Sequence, residues 1–137
     1  MIDIYTKSGN LSCRSAICWL QKNKISYKER RIHTNCPLNK IELEEILLLT
    51  SNGFDDILSF RSKIYKQIKG NFDNFSYEEA MELIIKNPNI LRLPIIIDRE
   101  RNKVGVGFHE DDIRCFLPRH YKKVMRKDYQ KSLEYYS

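Results

Sequence analysis

The sequence predicts an α/β domain in which one small mixed sheet is covered by helices and a helical block is inserted between its two halves. Three observations predict it. The chain opens on a β-prone stretch, a turn and an amphipathic helix leading to a second extended stretch. A long middle section is helical in texture. The chain then turns to an apolar run led by a proline, a turn, and a further extended segment.

Each element has a local reason. Ile2 to Thr6 alternates and is β-prone, and Lys7-Ser8-Gly9-Asn10 supplies turn chemistry after it. Ser12 can cap the helix that follows, where Ile17 and Leu20 stand at i, i+3 and Ala16 and Leu20 at i, i+4, until Lys22-Asn23-Lys24 interrupts the apolar face. Ile25 to Ile32 reads as a second strand. A strand, a helix of about a dozen residues and a strand make the crossover of a parallel pair, right-handed by the steric rule.

From Leu38 to Leu91 the texture is helical. Asn39 with Glu42 opens one helix as a cap pair; Ile41, Leu43, Ile46, Leu47 and Leu49 fill it, and Ser51-Asn52-Gly53 ends it. Asp55 to Leu58 and Ser62 to Ile68 read as short helices, and Ser76 with Glu79 forms a capping box for another that Asn87-Pro88 closes. Leu93-Pro94-Ile95-Ile96-Ile97-Asp98 is a buried strand, Arg99 to Lys103 turns, and Val104 to Gly107 returns as its partner. His109-Glu110-Asp111-Asp112 opens a last helix with acids at its positive end, Ile113 and Phe116 face inward, and Pro118 stops it. The expected organisation is a single domain over 1–118 with a helical insertion at about 38–91 and a basic tail at 119–137. That element order is the order of a thioredoxin-like fold. A proline directly before a buried strand, opposite a loop with a cysteine at a helix start, adds weight, because such prolines are often cis and lie beside a thiol site. On the dipeptide alone, an ordinary edge-strand role for Pro94 fits equally well.

The 137 residues are 42% hydrophobic and 31% charged, a balance that excludes disorder for most of the length. No apolar run approaches the roughly 20 residues that cross a bilayer, and Met1-Ile2-Asp3-Ile4-Tyr5 has neither a basic leader nor a cleavage site, so a cytoplasmic protein with no membrane partner is expected. Four irregularly spaced cysteines, Cys13, Cys18, Cys36 and Cys115, make a disulfide framework improbable there. His33, His109 and His120 fall in no metal-ligand spacing, so neither a metal nor a cofactor is expected. Of the net charge of +6, residues 1–117 contribute 18 basic against 16 acidic side chains and residues 118–137 six against two. The tail therefore holds most of the excess, which suits an acidic protein surface or nucleic acid, or simply a solvated extension.

Cys13 lies one residue past the proposed cap, where unpaired backbone N–H groups and the helix dipole favour a thiolate. A dithiol switch needs a second sulfur at Cys-x-x-Cys spacing, and position 10 is Asn10. Cys18 is five residues on, about 500° around the helix, and does not bridge to it. Cys36 in a polar loop and Cys115 beside Phe116 read as idle or buried thiols. Thiolate chemistry on an oxyanion also wants an arginine over the sulfur; Arg14 and Arg92 are candidates, but Leu93 occupies the place directly before the proline, so the oxyanion pocket is incomplete. Gly53, after a helix, can take positive φ as a helix C-cap or let a partner backbone approach. Arg61, Lys63, Lys66 and Lys69 cover much of a short helix with positive charge, a solvated face or a surface for an acidic partner.

Together, Tyr5-Thr6, Ser12-Cys13-Arg14, Trp19-Leu20, Arg61-Ser62-Lys63, the stretch Leu91-Arg92-Leu93-Pro94-Ile95-Ile96-Ile97-Asp98 and Phe116-Leu117-Pro118-Arg119 closely resemble the Spx family of transcriptional regulators over nearly the whole chain. That family lies in the arsenate reductase-like branch of thioredoxin folds. The resemblance implies a non-enzymatic regulator that binds the C-terminal domain of the RNA polymerase α subunit, alters promoter use under stress, touches promoter DNA only as an auxiliary contact, and is removed by the ClpXP protease. It implies a partner surface that includes Gly53, Arg61 and Lys63, with the latter two in the basic helix. The family's first switch cysteine falls on Asn10, its second on Cys13, and its arginine before the proline on Leu93, which removes the disulfide. An arginine often found five residues before the loop glycine is Leu48 here. The alternative is an arsenate reductase-like enzyme in which Cys13 attacks and an external thiol resolves the intermediate.

Overall fold

A computed structural model describes residues 1–68 and 70–117. The basic tail expected at 119–137, the Pro118 helix stop and Lys69 lie outside the described residues. Strand β1 (Ile2–Thr6) runs into helix α1 (Leu11–Lys22) and strand β2 (Tyr27–Arg31). Helices α2 (Lys40–Leu49), α3 (Phe54–Ile57), α4 (Lys63–Ile68) and α5 (Tyr77–Lys86) follow as the insertion. Strands β3 (Ile95–Asp98) and β4 (Lys103–Val106) form a hairpin, and helix α6 (Glu110–Ile113) runs into a 3₁₀ turn at Arg114–Phe116. The sheet order is β2-β1-β3-β4. β1 is parallel to β2, with Ile2 opposite Tyr27, and antiparallel to β3, with Ile4 opposite Ile96; β3 and β4 are antiparallel.

The alternation in β1 and the apolar run in β3 explain why both faces of this sheet are covered. Ile2, Ile4 and Ile96 pack with Ala16 and Leu20 of α1, Ile113 of α6 and Phe116. Tyr5, Ile95 and Ile97 face the opposite way, onto Leu43 and Ile46 of α2 and Met81 and Ile84 of α5. A Cβ at Gly105 would come within 3.0 Å of the Phe116 ring, so the absence of a side chain lets that ring lie against β4. Arg99 in the hairpin turn ties the faces together: its guanidinium bonds both oxygens of Glu45 at 2.7 and 2.8 Å and pairs with Asp3. Arg101 bonds Asp98 at 2.7 Å and donates to the carbonyls of Phe116 and Leu117 at 2.9 Å each, fastening the last turn to the hairpin.

The capping box at α2 forms in full: Asn39 accepts from the Glu42 N–H at 2.8 Å, and the Glu42 carboxylate accepts from the Asn39 N–H at 3.1 Å. Ser76 accepts from the Glu79 N–H at 3.2 Å at the start of α5. Two local expectations are corrected. Helix α1 is capped by Asn10 rather than Ser12, because the Asn10 side-chain Oδ1 accepts from the Cys13 N–H at 2.9 Å. The second strand begins at Tyr27, not Ile25, because Ile25 belongs to the end of α1: Lys24 turns left-handed at φ 55°, its N–H bonds the Gln21 carbonyl, and the Ile25 N–H reaches back to Leu20 at 2.9 Å.

Candidate functional site

Three segments meet where the thioredoxin-like reading puts a thiol site. The β1–α1 loop brings Asn10 and Ser12, the segment before β3 brings Arg92 and Leu93, and the connector after α3 brings Ser59, Phe60 and Arg61. The connector is held there by backbone bonds, Ser59 N–H to the Ile90 carbonyl at 2.7 Å and Arg92 N–H to the Ile57 carbonyl at 2.8 Å. The Leu93–Pro94 bond is cis, and the Pro94 carbonyl accepts from the Gly107 N–H at 2.8 Å, which carries the end of β4, with Phe108 and His109, to the same place. These residues enclose a cleft of about 540 Å³.

The cleft is basic. Arg61, Arg92 and His109 line it, and among the described residues no carboxylate does. Leu93, directly before the proline, is buried, but Arg92 is exposed and donates to His109 Nε2 at 3.0 Å. Gly107 makes this arrangement possible: its φ is +76°, and a Cβ there would stand 3.0 Å from Arg92 Nε.

Cys13 does not line this cleft. It is 2% exposed and packs in the cluster that contains Tyr5, Leu38 and Ile95. Its nearest open space is a separate cavity of about 220 Å³, also lined by Thr6, Lys7, Arg14 and Arg31. The expected thiolate is corrected on the same ground. Burial pushes the Cys13 thiol above its ordinary pKa, although a backbone bond from Lys7 opposes the rise, and Asn10 has taken the Cys13 N–H for the cap. No disulfide joins any of the four cysteines; Cys18 and Cys36 are exposed and Cys115 half-buried. Among the described residues no three His, Cys, Asp or Glu side chains gather as a metal site, and no helix is long and apolar enough to cross a membrane.

The second candidate region adjoins the cleft. Thr50 caps the end of α2, and Gly53 then precedes α3 at φ +65° and ψ −128°, so it serves as the N-cap of α3 rather than the C-cap of α2. A Cβ at Gly53 would meet nothing within 4 Å, so backbone conformation, not crowding, requires glycine. Asn52 holds the turn through its N–H to Asp56 at 2.9 Å, a bond that keeps the Asp56 carboxyl below its usual pKa. Arg61 lies in the turn ahead of α4, not in the helix as expected, and Lys63 is the first helical residue, with the Ser62 hydroxyl accepting from the Tyr65 N–H at 3.1 Å. Both cations are exposed, and neither joins an ion pair among the described residues. Gly53 and Arg61 thus stand at opposite ends of α3, with Asp55 and Asp56 between them. Leu48 is 85% exposed near the end of α2, and Phe60 is 55% exposed beside Arg61. Sequence reasoning missed Phe60 and His109 as site residues; an exposed aromatic next to an arginine was the available signal for the first, and none pointed to the second.

Residues 5–116 match the model of the ArsC family. The chain is 46% identical over 123 residues to the global transcriptional regulator Spx of Streptococcus agalactiae serotype V, covering 90% of this chain and 88% of that protein. A solution structure of a Staphylococcus aureus COL protein superposes with a TM-score of 0.72 at 21% identity, covering 86% of this chain and all of that one. Arsenate reductase from Vibrio cholerae superposes with a TM-score of 0.68 at 14% identity, covering 85% of this chain and 94% of that one. The two superpositions show the shared thioredoxin-like, arsenate reductase-like architecture and no more. With an arsenate reductase-like fold, a helix cap where a first cysteine would stand, and close relatives that regulate transcription, the chain belongs to the ArsC family and, within it, to the Spx family.

Proposed function

We propose that this chain is a transcriptional regulator that docks on the C-terminal domain of the RNA polymerase α subunit, and that it works without a disulfide switch. The contact centres on Gly53, with Arg61 and Lys63 beside it. The observation that carries the reading is Gly53 itself: a half-buried link at positive φ with open space where a Cβ would stand, one short helix away from Arg61 and Lys63, two exposed cations that join no ion pair among the described residues. A partner backbone can approach there, and acidic groups on the partner can complete the charge. Promoter DNA contributes only an auxiliary, salt-sensitive contact, and the ClpXP protease sets how much protein is present. Since Asn10 and a buried Cys13 cannot close a ring, output follows the amount of protein.

Pull-down of that isolated polymerase domain by the full chain tests this. The wild type captures it, Gly53→Arg, which puts a long cation over the contact and strains a link at φ +65°, loses capture, and Arg61→Glu and Lys63→Glu, on exposed side chains that strain nothing, each weaken it. Retention by Gly53→Arg overturns the assigned surface. The enzyme reading keeps one supporting observation, a cleft with two arginines, but its nucleophile does not line that cleft. Thiol-dependent arsenate turnover abolished by Cys13→Ala would restore it.

A further inference from the structure

We propose that the basic cleft is a binding site for an organic phosphate monoester that carries an aromatic ring, held without any covalent bond. The charge argues for the phosphate. Arg61 and Arg92 line one cavity in which, among the described residues, no carboxylate answers them, and Arg92 has no ion pair among those residues. Its contact with His109 Nε2 at 3.0 Å uses one end of a five-donor guanidinium and leaves donors that match a phosphate in pairs. Asn10 lines the cleft and, with its side-chain oxygen committed to the helix cap, has only its amide NH₂ left to offer a ligand.

Size and apolar lining argue for the organic part. A cleft of about 540 Å³ is of small-molecule size, and an inorganic oxyanion would leave most of it empty. Phe60 meets Tyr65 edge-on, with ring centroids 5.0 Å apart at 72°, and remains 55% exposed; Phe108 lines the cleft with it. Aromatic faces beside arginines are a platform for a planar ring. No cysteine lines this space, so the ligand is bound rather than transformed. The inference goes beyond polymerase docking and does not rest on it; Arg61 alone belongs to both.

Titration calorimetry on the full chain, in low-salt buffer free of phosphate, tests the site with adenosine 5′-monophosphate, inorganic phosphate and adenosine as probes. The monophosphate is expected to bind saturably in the submillimolar range, with both other probes about tenfold weaker or worse. Arg92→Ala and Arg61→Ala each weaken the monophosphate by about tenfold. Phe60→Ala weakens it too but leaves inorganic phosphate unchanged. Arg14→Ala, outside the cleft, changes nothing. All four side chains are solvent-accessible, so these variants fold. Absence of saturable binding by the monophosphate overturns the proposal, as does wild-type affinity in Arg92→Ala. Equal binding of inorganic phosphate overturns the organic part, and equal binding of adenosine overturns the phosphate.

Discussion

The first turn of α1 separates two regions of opposite character. On one side Asn10 faces an open cleft of arginines, a histidine and exposed aromatic rings. On the other, one helical turn away, Cys13 is 2% exposed and packs with an apolar cluster. The same backbone start serves both, because Asn10 stands at the cleft wall while its side-chain Oδ1 accepts from the Cys13 N–H. The contrast teaches that a helix N-terminus activates a thiol only where its N–H groups are unclaimed and the sulfur meets water; here neither condition holds.

The largest expected effect is on thiol reactivity. Brief alkylation followed by peptide mass spectrometry should label Cys18 and Cys36 about a hundredfold faster than Cys13. Comparable rates would break the comparison at its root. Next comes packing: Ile95→Ala, in the cluster that holds Cys13, should cost about 2–5 kcal/mol in urea unfolding, while Phe60→Ala on the open side should stay within about 0.5 kcal/mol. Asn10→Ala should cost about 1 kcal/mol through loss of the cap, with Asn10→Asp close to wild type because the acceptor is kept.

The smallest effect is in the pH dependence, and its signs differ between groups. Folding raises the Cys13 pKa, so the stabilisation this thiol gives is complete below its ordinary value and is lost as pH rises through the raised one. Unfolding measured from pH 8 to 10 should fall less steeply in Cys13→Ala, a window below the Tyr5 hydroxyl, which burial and the carboxylates of Glu42 and Glu45 push up to about 12. Glu45 behaves in the opposite sense: Arg99 holds its carboxyl below the usual range, so its contribution is complete above that range and is lost as pH falls through the lowered value. Glu45→Gln should flatten the acid limb of the same curve.

The sheet and most of the helices were legible because their signals are local. The isoleucine run after Pro94, the Asn39–Glu42 and Ser76–Glu79 pairs, and the alternation of Ile2 and Ile4 each name their element within a few residues. The site was legible only in part. Asn10 and Ser12 are both good caps two positions apart, and only the direction of the Asn10 side chain separates them. Cys13 is buried in a cluster whose members, Leu38 and Ile95 among them, are distant in sequence, so a dipole argument made from its own helix alone overvalues it. Arg92 was recognised as a candidate, but its meeting with His109 requires β4 to end opposite Pro94, a matter of sheet register that no motif encodes.

The central claim is that docking in this chain depends on a surface and not on sulfur. Titrating the C-terminal domain of the polymerase α subunit into the full chain, once in reducing buffer and once after mild oxidation, tests it most directly. The account predicts the same affinity in both buffers, with Cys13→Ala within about twofold of wild type and Gly53→Arg without measurable binding. An affinity that rises on oxidation and fails to do so in Cys13→Ala would contradict it.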